Sequence, residues 1–371
     1  MRPSHQPVDH RNLLVAGFDD RPTPRVTDPD GDVPTRGPGR EKFAAPGAGE
    51  RGGYAQAPMR VLVVTNLMPD ASAPQRGRWV FDQIDEIRRA GIEVDLFGFP
   101  PGRGEYLPAI RRLRRLVREQ SFDLVHAHYG LAGWCARLAG ATPLVVTFHG
   151  TDVRHRVVGP LSRRLAWRAD LVAAVSRALF APEQGRPGLP AVPGSAVLPC
   201  GPDLNRFRPI PRERARRDLG LDPAGRYLLF PANPARPEKR ADRAVALAEA
   251  AGAELLTGGA IDPDRMPEWI NSADSVLVTS DNEGFGMICV EALACDVPVL
   301  STPVGIAPFA LDGIDGTLCA PFDTELWLER VKPHLGAADP RVDGARRAAS
   351  LSAARMAGRT IVAYRSVLGD T

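Results

Sequence analysis

Short apolar runs alternate with segments of helical periodicity along most of the chain. Runs such as RVLVVTN (60–66), DLVHAH (123–128) and PLVVTFHG (143–150) have the length expected of buried strands. Between such runs, apolar residues recur three and four positions apart, which is typical of a helix that packs one face on a sheet. Strands that alternate with helices in this way predict an α/β fold with parallel, doubly wound sheets.

A segment rich in proline and glycine, SAVLPCGPDLNRFRP (195–209), interrupts the alternation, and we place an interdomain hinge just after it. Before this segment, strands are predicted at 60–66, 93–99, 123–128, 143–150 and 171–176, and helices at 79–90, 107–119, 131–138 and 160–168. After it, strands are predicted at 227–233, 254–259, 275–280, 298–302 and 316–320, and helices at 238–251, 266–271 and 287–294, with two closing helices. Because such sheets bind ligands at the carboxyl ends of their strands, both domains should turn these loops toward one central cleft.

The chain divides into four predicted regions. Residues 1–57 contain repeated proline, glycine, arginine and aspartate with few periodic apolar positions. Such a segment buries too little apolar surface to offset the entropy of ordering, so we expect a disordered tail and a start of the protein proper near Met59. We expect an N-terminal domain over 58–205, a C-terminal domain over 206–345 and an amphipathic terminal helix over 346–371.

Length and composition narrow the class of protein. At 371 residues, the chain is long enough for two domains with their own cores. It has no apolar run near the roughly 20 residues that span a bilayer, and its first residues lack the apolar segment of a signal peptide, so a cytoplasmic protein is expected. Its five cysteines and seven histidines are scattered, without the two-residue cysteine spacing of zinc or redox motifs, so we expect no metal site.

Positive charge is concentrated in the first predicted domain, although the net charge is only +3. Between Arg60 and Arg177 there are 18 arginines against 11 acidic residues, an excess of seven. Many lie in the amphipathic segments AIRRLRRLVREQ (109–120) and RHRVVGPLSRRLAWR (154–168). These segments are typical either of ordinary solvated faces or of peripheral contact with the anionic inner face of the cell membrane or a lipid-linked acceptor. We expect no nucleic-acid partner, because no aromatic residues interleave with the arginines.

Two glutamates in the segment SDNEGFGMICVEALACDVPVLSTPVG carry the most specific functional signal. Glu283 lies in the turn after the apolar run 275–280. Glu291, after seven intervening residues, lies about two helical turns beyond Glu283, in a helix that is predicted to begin near Met287. Both carboxylates can therefore reach one small polar ligand. Taken alone, the pair is equally compatible with acidic residues that serve the helix dipole and solubility.

The turn between the glutamates is suited to phosphate or sugar. It consists of Gly284, Phe285 and Gly286. The glycines let backbone N–H groups face the ligand space at a helix N-terminus, whose dipole favours negative charge. A helical glutamate can accept hydrogen bonds from a ribose diol, as the acidic residue of dinucleotide-binding folds does. Together these features indicate a nucleotide-sugar site.

The spacing of Glu283 and Glu291 resembles the acidic signature of retaining glycosyltransferases of family 4, which have the two-domain GT-B fold. The resemblance extends from Met59 to about Leu368 and is closest to bacterial cell-surface polysaccharide transferases. It implies that Glu283 and the following loop hold the donor sugar and that Glu291 holds the ribose. It also implies an acceptor-side N-terminal domain, a nucleotide-sugar-binding C-terminal domain, and a terminal helix that packs back on the first domain.

The loop after the fourth predicted strand carries a further candidate. His149 stands where the family has a histidine that faces the reacting sugar, and the resemblance assigns it that role. Asp152, three positions later, would either orient the acceptor hydroxyl or cap the next helix. His126 and His128 either line the same cleft or are ordinary sheet residues, since they alternate along a strand.

Donor phosphates would be held by residues that only partly match the family. Family members usually have an arginine after the first strand of the second domain and a lysine five residues beyond it. Lys239 aligns with the lysine, but Pro234 stands where the arginine should be, so Arg236 is assigned the second phosphate contact. Gly77 stands in a loop where the family usually has two glycines close to phosphate.

The resemblance implies a hexosyltransferase-type enzyme that moves a sugar from a nucleoside diphosphate sugar to a hydroxyl of a glycan, lipid-linked or small-molecule acceptor. It implies no metal or other cofactor, since Lys239, Arg236 and the loop amides would stabilise the departing diphosphate. Same-face attack assisted by that leaving group needs no protein nucleophile. Two alternatives stay open: a nucleotide-sugar epimerase of the same architecture, and a non-catalytic nucleotide-sugar-binding or scaffold protein that has lost turnover.

Overall fold

The protein forms two parallel sheets, each packed between helices. The computed structural model describes residues 59–70, 76–182, 185–259 and 261–369. The tail expected over 1–57 lies outside the described residues. The predicted α/β class with two doubly wound sheets is confirmed.

The first sheet has six parallel strands. They are β1 (Arg60–Thr65), β2 (Glu93–Gly98), β3 (Leu124–His128), β4 (Leu144–Phe148), β5 (Leu171–Ala174) and β6 (Ser195–Val197). Across the sheet they lie in the order β2-β1-β3-β4-β5-β6. The intervening helices are α1 (Arg78–Arg89), α2 (Tyr106–Glu119), α3 (Gly130–Ala139), α4 (Thr151–Arg154) and α5 (Val158–Ala166), with a 3-10 helix at Arg177–Phe180. Every residue of β3 and β4 is buried, because helices cover both faces, and this explains their uninterrupted apolar runs.

The second sheet has five parallel strands. They are β7 (Tyr227–Phe230), β8 (Glu254–Thr257), β9 (Ser275–Val278), β10 (Val299–Ser301) and β11 (Leu318–Cys319). Across the sheet they lie in the order β11-β10-β9-β7-β8. Its helices are α6 (Arg212–Leu219), α7 (Ala241–Ala251), α8 (Met266–Ser272), α9 (Met287–Ala294), α10 (Ala307–Ala310) and α11 (Thr324–Gly336), with 3-10 helices at Pro237–Lys239 and Pro263–Arg265.

Four short elements differ from the sequence-based expectation. The segment interpreted as a break in the pattern contains β6, a three-residue strand that pairs with β5. Its brevity and the prolines and glycines around it hid the strand. The helices α4, α6 and α10 were also missed, since α6 is almost wholly polar and α4 and α10 have only four residues each.

The end of the chain joins the two halves of the molecule. The helix expected over 346–371 is two helices, α12 (Ala345–Ser350) and α13 (Ala353–Leu368), separated at Ser352, whose hydroxyl accepts the Arg355 N–H and caps α13. Helix α12 packs on α9 of the second sheet, whereas α13 packs on α1 of the first. The Gln83 side chain donates a buried 2.9 Å hydrogen bond to Thr360 Oγ1 at the latter contact.

Every helix in the described part of the chain is too short or too polar to span a bilayer.

Candidate functional site

A cavity of about 570 Å³ lies where loops of the two sheets face each other. From the first sheet it receives the start of α1 and the loop after β4, and from the second the loops after β7 and β9. Both sets of loops follow the carboxyl ends of parallel strands, as the fold class requires. Eight of the residues singled out in the sequence line it: His149, Arg236, Lys239, Glu283, Gly284, Phe285, Gly286 and Glu291.

The acidic loop has the geometry that its glycines predict. Gly286 has φ of +85° and directly precedes α9, so the helix begins at Met287 as expected. The Glu283 carboxylate accepts hydrogen bonds from Lys239 Nζ at 2.6 Å and from Ser280 Oγ at 2.7 Å. Lys239 and Glu283 are only 13% and 14% exposed. The loop therefore holds a largely buried ion pair at the cavity wall.

Glu291 lies about one turn along α9 and also lines the cavity. Burial raises the pKa of its carboxyl to about 7, with Arg206 opposing the rise and Asp82 adding to it. Arg206 and Asp82 line the same cavity. Near neutral pH, this carboxyl can therefore gain or lose a proton in response to a ligand.

The two cations assigned to phosphate differ in their surroundings. Lys239 ends the 3-10 helix that precedes α7, and its ammonium faces the cavity beside Glu283. Arg236 is 55% exposed and pairs with Glu238, with Nη2 2.6 Å from the carboxylate. Lys239 thus has a fixed position, whereas Arg236 lies at the rim with a solvated partner.

His149 follows β4 and lines the cavity. Its ring lies 5.7 Å from the Trp79 ring, and its Nε2 lies 3.1 Å from Nδ1 of His128. Burial lowers the pKa of His149 to about 4, so the imidazole is neutral at physiological pH. His126 is fully buried between Tyr364 and Thr147, so the second of its two alternatives holds and it is a residue of the sheet interior.

Asp152 lies in the protein interior and not at a position from which it could orient an acceptor. Its carboxylate is fully buried and accepts backbone N–H groups of Gly130, His149 and Gly150. Burial raises the pKa of Asp152 to about 6 against these hydrogen bonds. It is not among the described residues that line the cavity. The carboxylate therefore shapes the turn that carries His149, and a direct contact with an acceptor is not supported.

Gly77 also lies behind the cavity wall. It has φ of +70°, and a Cβ there would lie 2.0 Å from the Leu67 carbonyl oxygen. A glycine is needed at this position because the backbone of the loop packs on Leu67. Its neighbours Arg78 and Trp79 line the cavity instead.

Several lining residues gave no strong sequence signal. They are Arg78, Trp79, Asp82, Thr151 and Arg206, together with apolar residues from both domains. Arg78 begins α1 and reaches across to Asp264 of the second half of the chain at 3.0 Å. Such contacts depend on how the two sheets face each other, which residue spacing does not encode. In the described ranges, no three histidine, cysteine or acidic side chains lie together so as to hold a metal ion.

Two parallel α/β domains whose loops share one cleft define a GT-B protein. Residues 53–206 match the family model described as Glycosyltransferase Family 4, and residues 227–335 match the model described as Glycosyl transferases group 1. The chain belongs to family 4 of the GT-B glycosyltransferases.

Similar proteins agree with this family. A D-inositol 3-phosphate glycosyltransferase of Actinosynnema mirum is 30% identical to this chain. The match covers 56% of this chain and 63% of the relative, which is less than two thirds of the relative's length. Sucrose-phosphate synthase from Thermosynechococcus elongatus has a TM-score of 0.67 at 17% identity, covering 85% of this chain and all of that one. HepE from Anabaena, solved with UDP and glucose, has a TM-score of 0.61 at 17% identity, covering 83% of this chain and all of that one.

Proposed function

We propose that this protein is a retaining glycosyltransferase that moves a sugar from a nucleoside diphosphate sugar to a hydroxyl acceptor. The observation that carries the proposal is the convergence of Lys239, Glu283 and Glu291 from one domain with His149 from the other on a single cavity. The solved complex of HepE with UDP and glucose, in a similar fold, supports a nucleotide-sugar as ligand.

The donor would lie along the wall formed by the second domain. Glu291 would accept hydrogen bonds from the ribose diol, while Lys239 and backbone N–H groups of the glycine turn would meet the diphosphate. Glu283 would hold the sugar against His149. In the free protein, Lys239 and Glu283 neutralise each other, so the incoming phosphates would take over part of the lysine's hydrogen bonding.

The chemistry would rest on stabilising the leaving diphosphate. As the bond to the sugar breaks, negative charge builds on the phosphate oxygens, and a lysine held in a poorly hydrated position stabilises it more than water does. The acceptor hydroxyl would attack from the same face and pass its proton to a leaving-group oxygen, so no protein nucleophile is needed. This route uses no resident metal, and a chelator should leave turnover unchanged.

A thermal-shift panel of nucleoside diphosphates and their sugars tests the donor site. A ligand that binds only the folded state raises the melting temperature, so one nucleotide should stabilise the wild-type chain. Glu291→Ala and Lys239→Ala should abolish that shift. Glu329→Ala and Lys332→Ala, at exposed positions on α11, are the matched controls and should keep it. If no nucleotide stabilises the wild type, the donor site is wrongly assigned.

Turnover needs its own measurement, because binding alone would also fit a scaffold or an epimerase. Incubation with radiolabelled nucleotide-sugar and candidate hydroxyl acceptors should release free nucleoside diphosphate and labelled glycoside. Label that stays bound to nucleotide as a different sugar would indicate an epimerase. Intact binding without any product would indicate a non-catalytic protein.

We further propose that the acceptor is a glycan or lipid-linked molecule reached at an anionic membrane surface. Helices α2, α3 and α5 lie side by side on one face of the first domain. This basic apolar face exposes the large apolar side chains Leu107, Leu138, Val157, Leu161 and Trp167. The same helices and the residues that flank them also carry exposed arginines: Arg111, Arg112, Arg114, Arg115, Arg118, Arg137, Arg156, Arg164 and Arg168. Exposed apolar side chains together with cations are typical of shallow binding to anionic lipid.

Vesicle sedimentation tests the membrane contact. The chain should bind vesicles of phosphatidylcholine mixed with phosphatidylglycerol. This binding should be lost in roughly 0.5 M salt, because salt screens exposed charges. It should not bind phosphatidylcholine alone. Trp167→Ser should weaken binding, whereas Leu326→Ser, at an exposed position of the second domain, should not. Equal binding to both vesicles, or none, would contradict the proposed contact.

A further inference from the structure

Three histidines form a stack at the carboxyl ends of β3 and β4. The rings of His126 and His128 lie 4.2 Å apart, and those of His128 and His149 lie 5.3 Å apart with an angle of 29° between their planes. His126 and His128 are buried, whereas His149 is at the cavity wall. The stack therefore leads from the interior of the first sheet to the ligand space.

One hydrogen bond links the stack to the cavity. His128 Nδ1 and His149 Nε2 are 3.1 Å apart, so one of these nitrogens carries a proton and the other accepts it. Nδ1 of His149 has no hydrogen-bond partner among the described residues and is the ring nitrogen left for a ligand. The proton arrangement of this pair decides whether that nitrogen can donate or only accept.

The second nitrogen of His128 indicates the arrangement. Its Nε2 is buried and makes no hydrogen bond to any described residue. A buried N–H group without a partner is rarer in proteins than a buried lone pair without one, so the proton belongs on Nδ1. His128 then donates to His149 Nε2, and the single ring proton of neutral His149 must be on Nδ1.

Burial and the neighbouring rings keep the stack uncharged. Burial lowers the pKa of His128 well below its ordinary value, and His126 and His149 lower it further. His126 has a pKa of about 3 for the same reasons. A neutral donor in the cavity can bind a sugar hydroxyl or a phosphate oxygen without adding charge.

We propose that His128 is a positioning residue for the transfer reaction, which holds His149 in the tautomer that presents Nδ1–H to the ligand. This inference rests on the proposed function for the identity of the ligand, but not for the arrangement of the two rings. His126 takes no part in the link, since its own nitrogens bond Tyr364 and Thr147 at 2.7 Å each.

The tautomer can be measured directly on the full chain without substrate. In protein labelled with ¹⁵N-histidine, long-range proton–nitrogen correlation should show a protonated Nδ1 and an unprotonated Nε2 for His149, assigned through the signals lost in His149→Gln. In His128→Asp the carboxylate can only accept, so the proton of His149 should move to Nε2. A wild-type His149 protonated on Nε2 would overturn the proposal even if neither His128→Asp nor His128→Leu folds.

Kinetics distinguish positioning from mere packing. His128→Leu removes the donor, and kcat should fall about tenfold, as expected for one lost hydrogen bond, while the Kd of the nucleoside diphosphate stays within about twofold. His128→Asn carries an amide N–H near the position of Nδ1 and should recover most of kcat. Tyr364→Phe, which alters only the bond to His126, should change neither kcat nor the His149 tautomer.

Two kinetic outcomes in His128→Leu would refute the role of His128. One is a kcat equal to that of the wild type. The other is an equal loss of kcat and of nucleoside diphosphate binding, which would indicate a general structural defect. Failure of the proposed function is recognised separately. If no nucleotide binds the wild type, the donor site is wrong, and the resonance measurement still decides the His128–His149 arrangement.

Discussion

At the residue scale, the Lys239–Glu283 ion pair couples stability to the donor site. Both groups are largely buried, so Lys239→Met would leave Ser280 as the one partner of the Glu283 carboxylate among the described residues. An unsatisfied buried charge costs more than the pair contributes, and we expect the free energy of unfolding to fall by about 1–3 kcal/mol. Urea unfolding measures this change.

The matched controls for that pair are an exposed ion pair and a double variant. Arg214 and Asp218 are 70% and 50% exposed, so Arg214→Met should cost less than about 1 kcal/mol. Combining Lys239→Met with Glu283→Gln should cost less than the sum of the two single changes. Strict additivity would show that the two side chains are not coupled.

Glu291 should make nucleotide binding depend on pH. Burial raises the pKa of its carboxyl from 4.5 to about 7, so in the empty cleft about half of these groups are protonated at neutral pH. A ribose diol donates to the ionised form, so the Kd for a nucleoside diphosphate should be about tenfold lower at pH 8 than at pH 6. Titration calorimetry at several pH values measures this.

The Glu291→Gln variant is the control for that titration, because the phosphate groups also ionise near pH 6. The difference in pH dependence between the two proteins belongs to Glu291. The pKa of His149, about 4, lies below the range tested. A pH dependence that is the same in both proteins would show that Glu291 does not meet the ribose.

At the scale of elements, two glycine turns bring the domains into contact. A Cβ at Gly284 would lie 1.8 Å from the carbonyl oxygen of His149, and one at Gly150 would lie 2.5 Å from Gly284 Cα. Ser176 Oγ also donates to the Gly284 carbonyl at 3.2 Å. The turn after β9 and the turn after β4 can approach this closely only because neither has a side chain at the contact.

Gly284→Ala should therefore separate the two turns. We expect kcat to fall by at least about tenfold, because His149 would move away from the donor, while the chain remains folded. Gly358→Ala is the control, since a Cβ there meets nothing within 4 Å and alanine favours the interior of α13. That variant should raise the free energy of unfolding by up to about 1 kcal/mol, and wild-type kcat in Gly284→Ala would contradict the role of this contact.

At the scale of the whole molecule, the last helix ties the second half of the chain to the first. Tyr364 in α13 is fully buried against the first domain, and its hydroxyl lies 2.7 Å from His126 Nδ1. Tyr364→Ala should lower the free energy of unfolding by about 3–5 kcal/mol, because it leaves a large cavity. Val362→Ala on the same helix, 53% exposed, should change it by less than about 0.5 kcal/mol. Thermal and urea unfolding compare the two, and equal effects would show that α13 does not pack tightly.

The amino-acid sequence alone was sufficient to predict most elements, because buried parallel strands and amphipathic helices have distinct periods. The strands β1, β3 and β4 and the helix α9 were found from apolar patterns and glycines. Elements with little apolar content or few residues, such as β6 and α6, were missed because their stability comes from tertiary neighbours. Glu283, Glu291 and Lys239 were singled out by the resemblance to family 4, and all three line the cavity.

The surroundings of Asp152, Gly77 and the three histidines were decided only by tertiary structure. Spacing places Asp152 near a strand end, but three backbone N–H groups around its carboxylate make it a support for the His149 turn. Similarly, His128 reaches His149 because β3 and β4 are parallel neighbours in the sheet. The periodicity of apolar residues follows from the geometry of a helix or strand and can be seen in the sequence. Contacts between distant segments depend on how whole domains pack together.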